Sequence, residues 1–483
     1  MVESANQRRK ALSPKPVFDE ATLLQAFEER NINSKHAHKI WRYFLQRGAA
    51  NYDDVPELPK SAKELLEAEF AIMTSKVVKR TDAADGSTTK LLVELQDGQR
   101  IESVIMRYGD VVLDSFPEEE KKKQVKDNDG RVQFKSNKRA TLCVSSQVGC
   151  SMGCTFCATG TMGLMSNLTS GEILEQLIHA NKALSDDRKQ KGEGSGPDYI
   201  RNIVFMGMGE PLDNYDSVIS AIKGMVDVGR FGLSPQRISV STVGVVPRMV
   251  SLIKDAPDVG LALSLHGPTQ ELRAQIVPTA KSWHIEKIME AAEAFVAQQN
   301  ARAPTNNRRR KVLIEYVIIR DVNSSPEVAH QLGRLLQNKD MLLNVIPYNP
   351  TTVPFDYKPP TPEELRTFLT ILREEYDVHT LMRQEMGQDI NSACGQLVID
   401  STIKKPVCDS ENGGVVDMED LVVSNGSTAT KKTVKKTTRR VVKTGNGPVK
   451  DDTPRYQHWI SVGLAVAAVA LALHFGWKYS ARR

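Results

Sequence analysis

The chain has 483 residues, of which 40% are hydrophobic and 25% charged, a balance that excludes a disordered protein and leaves room for one large domain or two to three smaller ones. The formal net charge of +5 fits nucleic-acid binding without arguing for it, because part of the basic excess is stored in terminal segments. The opening stretch MVESANQRRKALSPKPVFDE lacks an apolar core, so no secretory signal is expected; its short Arg/Lys cluster leaves an organelle transit peptide open.

Residues 18–75 read as a small N-terminal helical domain. ATLLQAFEER and HKIWRYFLQRG space their apolar residues helically, and SAKE at 61–64 has the form of a capping box, Ser61 reaching forward and Glu64 back. KLLVELQDGQRIESVIM alternates around Asp97-Gly98 and predicts a β-hairpin, with Glu102 on its exposed alternation. The unit 88–139 joins this hairpin to a charged insert at 108–138 that contains EEEKKKQVKDNDGR.

From 140 to 400 the runs NIVFMG, RISVST, GLALSLH, KVLIEYVII, LNVIPYN and VHTLMR alternate with amphipathic helices. That pattern predicts an α/β parallel barrel or sheet with function at the strand C-termini. Two inserts, 185–198 and 300–310, interrupt it without adding core. After 400 the periodicity fails, and 401–455 reads as a flexible linker carrying the basic run KKTVKKTTRRVVK at 431–443. Within 456–483 the apolar stretch WISVGLAVAAVALALHFGW runs from Trp459 to Trp477. Its length and its Trp residues at both ends predict a single C-terminal transmembrane helix, a tail anchor that leaves the bulk of the chain in the cytosol.

The densest chemistry is GCSMGCTFCATG, which places Cys150, Cys154 and Cys157 in a CxxxCxxC spacing. Soft thiolates select zinc, Cu(I) or iron–sulfur clusters. Three local cysteines on a [4Fe–4S] cluster leave one iron open to a small molecule. The competing reading is a zinc knot, which needs a fourth ligand such as Cys143 or Cys394. A disulfide knot fits less well, since six cysteines without a secretory signal read as intracellular.

Just after NIVF comes MGMGEPLDNYDSV, where Glu210 can accept from a ligand ammonium and Gly209 can offer its peptide at close approach. Further strand ends carry Ser241 and Thr242, then Ser264 and His266, then Asn349. One serine at a strand end is usually a cap; several polar strand ends in succession read as the lining of a binding mouth.

The cysteine loop, with Phe156 before its last thiol, resembles the radical S-adenosylmethionine (SAM) superfamily, and GMGEP looks like that superfamily's amine-binding motif. More narrowly, ATLCVSSQVGC, GMGEPLDNYD, SLHGP, LRAQIVPT, IEYV, IPYNP and INSACGQL together resemble the adenine-C2 methyltransferases of large-subunit rRNA and tRNA, over roughly residues 20–400. The resemblance implies a partial (β/α)6 barrel behind the helical domain. By it, Cys150, Cys154 and Cys157 hold a [4Fe–4S] cluster, and Gly209, Glu210, Ser241, Ser264, Leu265, His266 and Asn349 contact SAM. It also makes Cys394 the carrier of the methyl group, Cys143 the thiol that resolves the intermediate and leaves a disulfide, and Glu102 a proton acceptor. Implied partners are rRNA or tRNA and an electron donor such as flavodoxin or ferredoxin, with the enzyme a monomer.

The chemistry accounts for two cysteines beyond the cluster set. Adenine C2 is electron-poor, so simple polar methyl transfer fails there and a carbon radical is an alternative. By the resemblance, Cys394 would first accept a methyl by displacement, a radical would form on that S-methyl and add to C2, and Cys143 would then attack the Cys394 sulfur, releasing the base and leaving a disulfide. The bland readings are a buried apolar Cys394, Cys143 as a fourth metal ligand and Glu102 as surface charge. Cys408, in a polar stretch, receives no role. Lys35, His36, His38, Lys39, Arg42 and Arg47 predict one basic face for RNA, and Arg308, Arg309, Arg310 and Lys311 a second. The rivals to adenine-C2 methylation are an adenine-C8 methylating relative and a membrane-tethered iron–sulfur or RNA-binding protein without turnover. GEPLDNYD favours the C2 reading.

Overall fold

A ten-stranded sheet whose strands lie side by side in chain order organises the computed structural model. It comprises β1 (Lys76–Asp82), β2 (Thr88–Glu94), β3 (Arg100–Tyr108), β4 (Arg139–Cys143) and β5 (Ile200–Phe205). It continues with β6 (Ile238–Thr242), β7 (Gly260–Ser264), β8 (Val312–Ile318), β9 (Met341–Pro347) and β10 (Thr380–Met382). Strands β1 to β4 pair antiparallel, and from β4 onward every pairing is parallel. The structure describes residues 6, 7, 9, 11–108, 139–191, 197, 199–302, 309–383 and 386–397. Most of the charged insert, Arg308, Cys408, the linker 401–455 and the apolar stretch 459–477 therefore lie outside the described residues. Among the described residues no helix is long and apolar enough to cross a membrane.

The parallel strands are apolar on both faces because helices cover the outside and side chains fill the inside. Helices α4 (Ser170–Lys191), α5 (Tyr215–Val226) and α6 (Val246–Asp255) follow β4, β5 and β6. Helices α7 (Gln270–Ile276) and α8 (Ile285–Arg302) follow β7, while α9 (Pro326–Leu336) and α10 (Pro362–Thr370) follow β8 and β9. The arrangement is six strand–helix units closed by the short β10. The sheet curls: Arg383, just past β10, comes within 3.9 Å of Met106 Sδ on β3, although seven places in strand order separate those strands.

Three further helices, Glu20–Glu29, Lys35–Gln46 and Lys60–Glu69, form the N-terminal part. They dock onto the loop after α5. The Arg230 guanidinium lies 3.6 Å from the centroid of the Trp41 ring and donates to Glu20 at 2.7 Å, while Trp41 Nε1 donates to the Val17 carbonyl at 2.7 Å.

Several local expectations need correction. The SAKE segment is not a capping box: Pro59 is the N-cap of the helix Lys60–Glu69 and makes no side-chain cap, which leaves Ser61 inside the first turn. Capping boxes occur instead at Asn51/Asp54 and at Thr361/Glu364. The hairpin gains a third strand, β1, whose mostly exposed pattern of charged residues is that of a solvated sheet edge without apolar alternation. Part of the insert at 185–198 continues α4 through Lys191. Glu102 is not exposed: it is 4% accessible, because β3 is covered along almost its whole length.

Candidate active site at the strand C-termini

The C-terminal ends of the parallel strands open into two adjoining cavities. The first is lined by the cysteine triplet together with Gly209, Glu210, Ser241, Ser264, His266, Glu315, Arg383 and Cys394. The second is lined by Val104, Met106, Tyr108, Cys143, Asn349, Arg383 and Cys394. Arg383 and Cys394 therefore belong to both.

The cysteine loop leaves β4 through a short antiparallel pair, Gln147–Gly149 against Leu164–Asn167. Gly149 has φ +76 and packs directly on the Gly163 carbonyl, a conformation and a closeness that suit glycine alone. Burial pushes the Cys150 thiol up to about 12, and burial followed by the neighbouring thiols holds Cys154 well above the ordinary value; Cys157 is raised for the same first reason. Such thiols ionise when a metal takes the place of the proton. Among the described residues no three Cys, His, Asp or Glu side chains converge as the ligands of a single ion do. The three soft thiols that line one cavity are, by their chemistry, the donor set of an iron–sulfur cluster.

Glu210 is reached through Gly209, whose φ is +100 and whose hypothetical Cβ would lie 2.5 Å from Gln147 Cβ. Gln147 in turn accepts from the Glu210 N–H at 2.8 Å. The Glu210 carboxylate accepts from the Leu212 N–H at 3.0 Å and the Val243 N–H at 2.9 Å. Burial nevertheless pushes this carboxyl up to about 7, so a nearby ligand cation would be welcome. The Ser241 and Ser264 hydroxyls are 3.2 Å apart. His266 has φ +58; its Nδ1 accepts from the Val317 N–H at 3.1 Å, which puts the proton of the neutral ring on Nε2. Burial first, then Arg273, lowers His266 to about 3. The ring meets Phe156 edge-on at 4.9 Å.

The segment carrying Cys394 is sewn onto the cysteine loop. Ala158 N–H donates to the Gly395 carbonyl at 2.8 Å, Thr159 Oγ1 donates to the Leu397 carbonyl at 2.6 Å, and Gln396 Nε2 donates to the Pro350 carbonyl at 3.0 Å. Cys143 ends β4, opposite Val104, and both it and Cys394 are free thiols. Burial, then Cys394, pushes Cys143 up to about 12.

Two of the expected site residues stand apart from the cavities, and a third is partly engaged. Leu265 is fully buried in the core, so only its backbone could meet a ligand. Glu102 shares the face of β3 with Val104, Met106 and Tyr108, one step beyond the second cavity, and its carboxylate lies 3.0 Å from Lys90 Nζ. Asn349 lines the second cavity and accepts from Gln388 Nε2 at 2.8 Å.

Three further residues belong here. Arg383 donates to Cys394 Sγ at 3.1 Å. Glu315 accepts from Asn344 Nδ2 at 2.8 Å. Arg273 of α7, fully buried, donates to the carbonyls of Val243 and Ser264. The strand-end rule that selected Ser241 and Asn349 also points to Arg383, which ends VHTLMR; Glu315, in mid-strand, carried no comparable signal. The predicted basic cluster near 310 lies elsewhere: Arg309 and Arg310 precede β8, at the end of the sheet opposite the cavities. There Arg309 faces Asp340 at 3.4 Å and Arg310 donates to the Asp258 carbonyl at 2.9 Å.

Comparison with known proteins places this geometry. Residues 144–301 match the model of the Radical SAM superfamily. The ribosomal RNA large subunit methyltransferase N of Nitrosopumilus maritimus is 38% identical over 349 residues, covering 72% of this chain and 88% of that protein. The dual-specificity RNA methyltransferase RlmN 1 of Myxococcus xanthus is 37% identical over 362 residues, covering 75% and 88%. A crystal structure of a radical SAM methyltransferase from Sphaerobacter thermophilus superposes with a TM-score of 0.64 at 32% identity, covering 80% of this chain and 99% of that one.

Proposed function

Because the chain belongs to the RlmN family of radical SAM RNA methyltransferases, we propose that it methylates C2 of an adenine in large-subunit rRNA, tRNA or both. The observation that carries this reading is the shared cavity wall: Cys143 and Cys394 line one cavity, and Cys394 also lines the cavity of the cysteine triplet. An enzyme that passes a methyl through a protein sulfur needs that sulfur within reach of both the methyl donor and the base.

In this reading Cys150, Cys154 and Cys157 would hold a [4Fe–4S] cluster, which when bound would supply the electron for reductive cleavage of SAM. Glu210 receives the ligand ammonium, with its carboxylate aimed by the Leu212 and Val243 peptides. Gly209, Ser241 and Ser264 line the same cavity. Neutral His266 offers its Nε2 proton, and Leu265 contributes its backbone. Asn349, held by Gln388, closes the side toward Cys394. Cys394 acts as the nucleophile toward the donor methyl, Cys143 resolves the later thioether, and Glu102 takes a proton at the rim. The substrate adenine must leave its stack to reach C2, which is cheapest in a loop. Lys35 and Arg42, exposed on the helix Lys35–Gln46, offer phosphate contacts.

The electron donor is proposed as a flavodoxin- or ferredoxin-type protein, and the enzyme as a monomer. On the sequence alone, the apolar segment 459–477 is proposed as a membrane tether. A fluorescent fusion lacking 456–483 that distributes like the full chain would sink that part. The chemistry is tested by anaerobic cluster reconstitution, incubation with SAM, reductant and RNA, and digestion to nucleosides. 2-Methyladenosine is expected. 8-Methyladenosine would move the protein to the C8 relatives, and the absence of 5′-deoxyadenosine would overturn the radical reading.

A further inference from the structure

The second cavity holds two thiols in different electrostatic settings. Cys394 has the Arg383 Nη1 against its sulfur at 3.1 Å. Cys143 is 8% exposed at the end of a central strand and is held up mainly by burial. Arginine does not give up its charge, and a buried guanidinium is costly unless an anion answers it. The groups facing Arg383 are Cys394 first, then Glu315 of β8, Tyr108 of β3 and Cys143 of β4. Glu315 takes its hydrogen bond from Asn344, and burial raises its carboxyl, which weakens it as the answering charge. Tyr108 is likewise raised by burial. The second guanidinium nitrogen, Nη2, faces the uncharged Met106 Sδ at 3.9 Å.

We propose that Arg383 is a positioning residue that selects Cys394 over Cys143 as the sulfur nucleophile, fixing Cys394 Sγ through its Nη1 at the junction of the two cavities. A charge-assisted N–H···S contact fixes direction as well as charge. Arg383 thereby aims the sulfur along the border that both cavities share. The inference rests on the reading of Cys394 as the methyl carrier.

The test is alkylation of the cluster-loaded protein by limiting iodoacetamide under anaerobic conditions across a range of pH, with Cys394 and Cys143 quantified by peptide mass spectrometry. In the unaltered protein Cys394 is expected to be alkylated at least about tenfold faster than Cys143 at neutral pH. Arg383→Met should slow alkylation of Cys394 at neutral pH about tenfold, with Arg383→Lys recovering part. Equal alkylation rates of Cys394 and Cys143 in the unaltered protein overturn the proposal without any variant. So does an unchanged profile in an Arg383→Met protein that keeps its iron content and melting temperature. The parent reading fails separately: 2-methyladenosine formed by Cys394→Ser would remove the carrier role, while the alkylation profile of the unaltered protein would still decide on Arg383.

Discussion

The Ala158 N–H donates to the Gly395 carbonyl at 2.8 Å, and this bond joins the residue after Cys157 to the residue after Cys394. The loop of the cysteine triplet and the loop that bears Cys394 are thus registered through their backbones. Gly395 has φ +85, with the Phe156 carbonyl 3.4 Å from where a Cβ would stand. A β-branched residue there is strained by the conformation itself. Gly395→Val is expected to lower methylation of Cys394 in a single turnover about tenfold or more while iron content stays close to normal. Intact-protein mass spectrometry after incubation with SAM reads the first quantity, and an iron assay reads the second.

Gly209→Ala should act through Gln147. The new methyl would fall 2.5 Å from Gln147 Cβ, and Gln147 is the side chain that accepts from the Glu210 N–H. Displacing it misaims the carboxylate. The expected result is a dissociation constant for SAM raised at least about tenfold, together with roughly 1–3 kcal/mol of lost stability from the positive φ. Calorimetric titration and denaturant melts measure the two effects, and unchanged SAM affinity would remove Glu210 from the amine site.

His266 makes a pH prediction with a definite sign. Its folded value, about 3, lies below the ordinary 6.5 because of burial, then Arg273. Between those values the unfolded chain binds the extra proton. The stability is therefore fully present above pH 6.5 and drains away as pH falls toward 3, by about 2 kcal/mol at pH 5. His266→Asn tolerates the positive φ and should flatten the difference in unfolding free energy between pH 7 and pH 5 by that amount. Equal pH slopes in the two proteins would show that the imidazole is not the titrating group.

Cys143→Ala should leave the first methyl transfer to Cys394 intact and block release of the base. A covalent protein–RNA adduct through Cys394 is then expected, visible as a slow band that disappears in Cys143→Ala/Cys394→Ala. Normal turnover by Cys143→Ala would assign the resolving thiol elsewhere.

Reading along the chain reached the cluster triplet, the GMGEP turn and the polar strand ends because each lies in one short segment, where residue type and spacing carry the chemistry. It missed the burial of Glu102, since the hairpin alternation does not say that neighbouring elements cover both faces of β3. It missed Glu315 for a similar reason: a carboxylate inside an apolar strand looks like an exception until Asn344 and the cavity are seen beside it. Arg383 was within reach of the strand-end rule, since it closes VHTLMR just past the strand Thr380–Met382, but its partner Cys394 is brought to it only by the fold.

Ligand types, motif spacing and the β/α alternation are local properties, and the amino-acid sequence alone was enough to name the cofactors and the α/β class. Bringing Cys143, Cys394 and Arg383 to one cavity is a different matter. These residues come from the end of β4, the segment after β10 and the end of β10, and their meeting depends on a sheet that curls until its last strands face β3. Curvature arises from the accumulated twist of all the strands and from the packing of the helices outside them. Only the folded chain therefore places the Arg383 guanidinium against Cys394 Sγ.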